Sequence, residues 1–330
     1  MRNLAFVLLL FLAPAWAQAG DSLLLKLSSP ILLKGSDTIA YRDPLLVWVN
    51  HKFLLFYSYV VTDPDRKVYW YTAWSASTDL RHWTAPHVFT PKSQNLNFSS
   101  PGSLDRVGKD WVLALQTIPM NGVRMTDAKV KYPEDTSRLW MMRTRDFVHW
   151  SKPELLRVKG PEVSQQDMGH MIDPTLVADM AVPGKWWCFF KQSGHIFAST
   201  SMDLKTWTFH PRAIVAGENP EVLVDHGDFI MFYSPGNGTG VLRSHDGVTW
   251  QQDQLSIVLG QKNWPWAETR ITAGYVADLR SAPGVGKYIF VCHSMGPGKA
   301  RTNRNILANC NIVIAWSDDL KHWTWPGKTD

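Results

Sequence analysis

One phrase is written five times along this chain of 330 residues. Ser77-Thr-Asp-Leu-Arg-His-Trp83, Thr144-Arg-Asp-Phe-Val-His-Trp150, Ser201-Met-Asp-Leu-Lys-Thr-Trp207, Ser244-His-Asp-Gly-Val-Thr-Trp250 and Ser317-Asp-Asp-Leu-Lys-His-Trp323 each follow an apolar, alternating run. The five Trp lie 67, 57, 43 and 73 residues apart, which fits units of four short strands joined by loops of varying length. An Asp closes a turn by accepting from backbone N–H groups, and the Trp behind it gives the next strand a large ring to wedge against its neighbour. Five such units predict an all-β chain, a five-bladed β-propeller.

The chain is 45% hydrophobic and 19% charged, enough apolar surface for one sizeable core. We expect one propeller over residues 20–330, behind a leader at 1–19. Arg2, the apolar run Leu4–Leu12 and the small residues Ala15, Ala17 and Ala19 have the pattern of a signal peptide, which predicts a secreted or periplasmic protein. That run is too short to span a bilayer, and no later stretch predicts a membrane span. The net charge of +5 is spread among acidic residues rather than massed, so no nucleic-acid partner is expected. Of three cysteines, Cys292 and Cys310 fall in what read as neighbouring strands, where a bond is open, and none has metal-site spacing.

Each unit opens on a polar phrase marked by Pro or Gly, and the first strand of a propeller blade lines the central channel. Asp43, the Ser100-Pro101 pair, Asp173, Glu218 and Arg270 are therefore expected to ring one mouth of that channel. Three of these phrases carry a carboxylate: Arg42-Asp-Pro44, Ile172-Asp-Pro174 and Glu218-Asn-Pro220. Asp-Pro is a common turn dipeptide, but Asn, Ser or Gly would serve a turn equally well. Three acids at one place in three blades suit acetal cleavage. One protonates the departing sugar oxygen, a second activates water or attacks the anomeric carbon, and a third keeps the acid protonated by like-charge crowding. Asp173 beside Glu218 is expected to do the last.

These phrases resemble glycoside hydrolase family 43, five-bladed propeller enzymes acting mainly on arabinofuranosides and xylosides, and more widely the clan shared with the fructan-cleaving family 32. The resemblance covers nearly the whole mature chain. Met171-Ile-Asp-Pro-Thr-Leu176 is similar to the phrase of the family's pKa-tuning Asp. Glu218-Asn-Pro220 and its following hairpin are similar to the Glu-Gly-Pro segment of the general acid, and Asp43 matches the general base. The resemblance implies a secreted, inverting, exo-acting hydrolase of an oligosaccharide or polysaccharide. Asn219 stands where the family has Gly, and Glu221 leaves open which glutamate reaches the channel. Tyr41-Arg-Asp-Pro44 is not the family 32 nucleophile phrase. No cofactor is implied beyond a structural calcium, and the family's His near the head of blade five is replaced by Thr272-Ala-Gly-Tyr275. His293 is left as the metal candidate or else as a core histidine.

Other residues keep two readings. Trp264 and Trp266 would stack on a sugar face or serve blade packing. Arg42 and Arg270 would bind substrate hydroxyls or a carboxylate, or pair with the acids themselves, and His170 with these arginines suits a phosphate. Neither a Walker pattern nor a dinucleotide fingerprint is present. The competing functions are a carbohydrate-binding propeller without catalysis, and a propeller glycosidase for anhydrogalactose, galactofuranose or fructose.

Overall fold

The computed structural model describes residues 23–64, 67–93, 96–119, 137–296 and 309–328; the expected leader lies outside them. The chain begins with a short strand, β1 (Ile31–Leu33). Blade one then runs outward as β2 (Ile39–Val49), β3 (Lys52–Thr62), β4 (Val68–Ser77) and β5 (His87–Val88). In blade two the innermost place is shared by β6 (Asn97–Ser99) and β7 (Leu104–Val107), followed by β8 (Asp110–Ile118), β9 (Leu139–Thr144) and β10 (Glu154–Leu155). Blade three is β11 (Ile172–Ala178), β12 (Trp186–Gln192), β13 (His195–Ser201) and β14 (Trp207–Ala216). Blade four is β15 (Glu218–Asp225), β16 (Asp228–Ser234), β17 (Thr239–Ser244) and β18 (Gln251–Ile257).

Blade five is β19 (Thr272–Leu279), β20 (Lys287–Met295) and β21 (Cys310–Ser317), and its outer strand is β1, paired antiparallel to β21 through Ile31 and Val313. The strand ahead of blade one in the chain thus completes the last blade and ties the start of the described chain to its end. This gives the five-bladed, all-β architecture that the repeats imply. The hairpin between β2 and β3 turns at Asn50 and His51, both left-handed with φ of 50° and 59°, as a two-residue turn matching strand twist requires.

Second strands read as unbroken apolar runs, such as Phe53–Tyr57, Trp187–Phe190 and Phe229–Tyr233, all buried, because a neighbouring blade covers each face. Successive blades share an apolar cluster. Phe56 and Phe147 join blades one and two, Val112 and Leu176 two and three, Phe189 and Met231 three and four, and Phe232 and Phe290 four and five. Leu55 and Ile289 join blade one back to blade five, so the apolar contact runs right round the ring.

The repeated phrase does what its residues suggest. In each copy the Asp Oδ1 accepts from the backbone N–H groups two and three residues on, as Asp203 does from Lys205 (2.8 Å) and Thr206 (2.7 Å). The residue after the Asp is left-handed in all five: Leu80, Phe147, Leu204, Gly247 and Leu320, with φ between 59° and 75°. The Trp then enters the seam with the preceding blade. Trp150 stacks on Phe89 of blade one at 4.4 Å, and Trp250 meets Phe189 of blade three edge-on at 5.6 Å.

The three cysteines are free and buried. The bond left open between Cys292 and Cys310 does not form, because Cys292 pairs with Val313 while Cys310 pairs with Met295. The two side chains belong to different apolar clusters.

Candidate active site

The heads of the inner strands share one irregularity. Between Arg42 and Leu45, Ile172 and Thr175, Glu218 and Glu221, and Thr272 and Tyr275, the inner strand spends one residue more than its partner. The first extra residue is left-handed each time: Asp43 (φ 49°), Asp173 (φ 55°), Asn219 (φ 51°) and Ala273 (φ 51°), with Ser100 (φ 46°) in the broken inner strand of blade two. This is the geometry of a bulge. Pro follows in four blades because a bulged residue leaves its N–H without a ladder partner, and Pro has none to leave. Gly102, behind Pro101, allows two blades to touch, since a Cβ there would lie 1.5 Å from the Pro174 carbonyl oxygen.

The bulges correct one expectation. Asp43 and Asp173 occupy equivalent places, but the equivalent of both in blade four is Asn219. Glu218 stands one residue earlier, level with Arg42, Ile172 and Thr272.

Hydrogen bonds between blades fix the bulges in a nearly cyclic pattern. The Asp43 N–H donates to His293 Nδ1 (3.0 Å), Ser100 N–H to Ser58 Oγ (2.7 Å), Asp173 N–H to Gln116 Oε1 (2.6 Å) and Ala273 N–H to Ser234 Oγ (3.0 Å). The acceptor comes each time from the second strand of the preceding blade. In blade three that place holds Lys191, opposite Ile172, and an ammonium cannot accept. The Asn219 N–H goes instead to Asp173 Oδ2 at 3.1 Å, which leaves Lys191 to reach Glu218 Oε2 at 2.6 Å.

A cavity of about 240 Å³ opens over these heads, and its lining includes Asp43, Asp173 and Glu218 together with Arg42, His170 and Arg270. Ser100 and His293 line it as well, so the expected ring of strand heads forms one mouth. Below, a constriction of about 30 Å³ is walled by Pro44, Pro101 and Pro220. Trp264 and Trp266 are not in the lining. They stack on each other at 4.7 Å, and Trp264 meets Trp325 edge-on, so of their two readings the structure realises packing. The indole at the cavity is Trp70, buried beneath the Arg42 guanidinium at 5.1 Å.

The three acids differ in their surroundings. Burial pushes the Asp43 carboxyl up, but the Arg42 charge and the hydroxyls of Ser58 (2.7 Å) and Ser100 (2.9 Å) on Oδ2 outweigh it and hold it below the usual range. Burial and the charge of Glu218 push Asp173 up to about 7. Burial acts on Glu218 too, but Arg270 on Oε1 and Lys191 on Oε2 hold it ionised. The expectation that Asp173 keeps Glu218 protonated is therefore reversed: with no ligand bound, the proton of the pair belongs to Asp173.

His293 is buried, and burial lowers it to about 3, so it is neutral. Its Nδ1 lone pair accepts from Asp43, which places the ring proton on Nε2, an atom without an acceptor among the described residues. A calcium ligand would need that nitrogen bare. Among the described residues no three His, Cys, Asp or Glu side chains gather as a metal set. The residues present do not fit a channel calcium held by His293.

Lys191, Gln116 and Trp70 were not singled out in the sequence. Lys191 had a signal there, a lone charge at the inner end of the apolar run Trp186–Phe190.

No family model matches this chain, and no curated protein matches it. Solved structures do. A Bacteroides ovatus xyloglucan-locus protein titled GH43B superposes with a TM-score of 0.59 at 14% identity over 91% of this chain, which spans 56% of that protein. An exo-1,5-α-L-arabinanase from a bovine ruminal metagenomic library gives 0.59 at 14% identity, over 89% of this chain and 99% of that one. A thermostable family-43 glycoside hydrolase gives 0.60 at 11% identity, over 88% and 94%. At such identities the likeness is one of fold, and the fold is that of family-43 propellers.

Proposed function

We propose that this chain is a glycoside hydrolase that removes a terminal sugar from an oligosaccharide or polysaccharide with inversion at the anomeric carbon. One observation carries the reading: a single pocket, narrowed below by prolines, holds an ionised carboxylate, Asp43, together with a carboxylate pair that retains a proton, Asp173 and Glu218. An ionised acid and a protonated one are the two partners that acetal hydrolysis needs. Asp43 takes a proton from water as the water oxygen bonds to the anomeric carbon. Asp173 passes its proton to Glu218, and as the glycosidic C–O bond breaks with its electron pair on the leaving oxygen, that oxygen takes the proton from Glu218. Arg42, His170 and the Nε2–H of His293 are placed to bind sugar hydroxyls.

A pocket of this size suits one sugar residue and hence exo action. The fold shared with a protein titled exo-arabinanase favours arabinofuranosyl or xylosyl substrates. The leader pattern supports secretion, which N-terminal sequencing of the exported protein tests. The test of the reaction is a panel of aryl arabinofuranosides, xylosides, galactosides and fructosides, with the product anomer read by NMR; release of the retained anomer overturns inversion.

A second reading is a sugar-binding propeller without catalysis, and the paired cations on Glu218 favour it, because a glutamate held ionised donates no proton. Glycan affinity with no turnover on any aryl glycoside decides for it.

A further inference from the structure

The cations around Glu218 pose a chemical problem for the reaction just proposed, and its solution names a substrate feature. A proton donor must be protonated when the bond breaks, yet Arg270 and Lys191 each sit on one oxygen of Glu218. The two differ in exposure: Lys191 is 22% exposed and Arg270 43%. Lys191 is fixed by its place on β12 opposite Ile172, whereas Arg270 stands just ahead of β19 at the rim. Arg270 is thus the arm free to swing toward an incoming ligand.

We propose that the bond cleaved lies next to a uronic acid, whose carboxylate takes Arg270 from Glu218 and so frees Glu218 to act as the acid. The inference rests on the glycosidase reading. Three considerations support it. The exchange is like for like, one carboxylate replacing another on a guanidinium already oriented to grip one. A proton donor faces the leaving side of the bond, so the cations beside Glu218 address the leaving sugar rather than the one in the pocket. The cavity also carries three cations, Arg42, Lys191 and Arg270, against Asp43 and Glu218 as ionised acids and Asp173 as a protonated one, an excess that a neutral sugar leaves unanswered. Once Arg270 has moved, the proton on Asp173 passes to Glu218 and on to the leaving oxygen, so no external acid is required.

The test is calorimetric binding of free D-galacturonate and D-galactose to the whole protein, repeated with Arg270→Ala and Arg270→Lys, alongside kinetics on aryl arabinofuranosides and xylosides. We expect galacturonate to bind at least about tenfold tighter than galactose, the advantage to vanish in Arg270→Ala, and Arg270→Lys to keep part of it. We also expect the alkaline limb of kcat/KM to move to higher pH in Arg270→Ala, since Glu218 loses a cation. Equal binding of the two sugars, or a galacturonate preference that survives Arg270→Ala in a protein with unchanged melting, overturns the inference. Aryl glycoside hydrolysis without that preference removes the uronate and leaves the hydrolase standing. The preference without hydrolysis of any aryl glycoside, either by the parent or by Arg270→Ala, in which that cation is gone, leaves the anion site and removes the reaction.

Discussion

Carboxylates face the central channel from both ends; the acid pair Asp173 and Glu218 has cations on it, and the pair Asp105 and Glu221 has none among the described residues. At the upper mouth Asp43, Asp173 and Glu218 share the lining with Arg42, Lys191 and Arg270. At the lower end Asp105 and Glu221 line a larger cavity, about 600 Å³, together with Asp179 and Asp278, which pair with Lys185 and Arg280. Burial there pushes Asp105 up to about 7, and burial together with Asp105 pushes Glu221 well above its usual range. Among the described residues the Glu221 carboxyl has only a long contact from Thr175 Oγ1, at 3.4 Å. Two acids without cations hold their protons to higher pH. With cations, one acid ionises and the proton of its neighbour becomes available for transfer. Neither carboxylate count nor cavity size distinguishes the end proposed to be reactive; an adjacent acid pair held by cations does. The same contrast answers which glutamate reaches the upper mouth: Glu218 lines it and Glu221 does not.

The sharpest way to break this comparison is to mutate each glutamate to its amide. Glu218→Gln and Asp43→Asn should each lower kcat by roughly 10²–10⁴-fold, with melting temperature little changed, whereas Glu221→Gln should leave kcat within about twofold of the parent. A Glu221→Gln enzyme as impaired as Glu218→Gln would move the chemistry to the other end of the channel.

A second test concerns where the shared proton resides. Asp43 must be ionised and the Asp173–Glu218 pair must keep one proton. We therefore expect kcat/KM to fall on the acid side only below the ordinary carboxylate range, and on the alkaline side through about pH 7. Asp173→Asn should displace the alkaline limb and lower kcat by roughly tenfold or more. An unmoved limb would assign the titrating proton elsewhere.

At the lower end the consequence is stability rather than rate. Asp105 binds its proton more tightly folded than unfolded, where an Asp titrates near 3.9. The folded state thus loses stability relative to the unfolded one as pH rises from about 4 to about 7, and no further above. Asp105→Asn lacks that loss. Its stability relative to the parent should therefore rise across this window, by on the order of 1–4 kcal/mol in all, read by urea denaturation at pH 4 and pH 8. A constant difference between the two pH values would show that Asp105 keeps its ordinary pKa.

How far the sequence could be read follows the same division. The five turn phrases were legible because their chemistry is local: Asp, a left-handed residue and Trp all act within seven positions. The outer strand of blade five was not, because β1 joins β21 from the far end of the chain and nothing in either segment names the other. The strand heads were legible as a ring, since Pro and Gly mark each bulge. The charge balance at those heads was legible only in part: pairing with an acid was one reading of Arg270, which the structure shows on Glu218, but Lys191 reaches Glu218 from another blade and was not singled out. A cyclic pattern of acceptors shows Lys191 to be out of place, but only once the strand register is known. Trp264 and Trp266 misled for the same reason: whether an indole faces sugar or another indole is decided by residues such as Trp325, about sixty positions away.

The smallest effect belongs to those turn phrases. Asp246 accepts from the backbone N–H groups of Val248 (2.8 Å) and Thr249 (2.7 Å), which hold its carboxyl down at about 2. These are exposed bonds with the geometry of a helix cap, so Asp246→Ala should cost about 1 kcal/mol and no catalytic activity. The contribution is present above the unfolded value near 3.9 and fades as pH falls toward about 2, so parent and mutant should converge in strong acid. Blade four is the informative copy, because Gly247 fills the left-handed place where three of the others carry Leu. Glycine takes that conformation without strain, so the turn in blade four relies on its Asp less than the turn in blade three does. Asp203→Ala, beside a left-handed Leu204, should accordingly destabilise more than Asp246→Ala in urea melts of the two mutants. The reverse order would mean that the side-chain cap, and not the backbone conformation it supports, is what the repeat conserves from blade to blade.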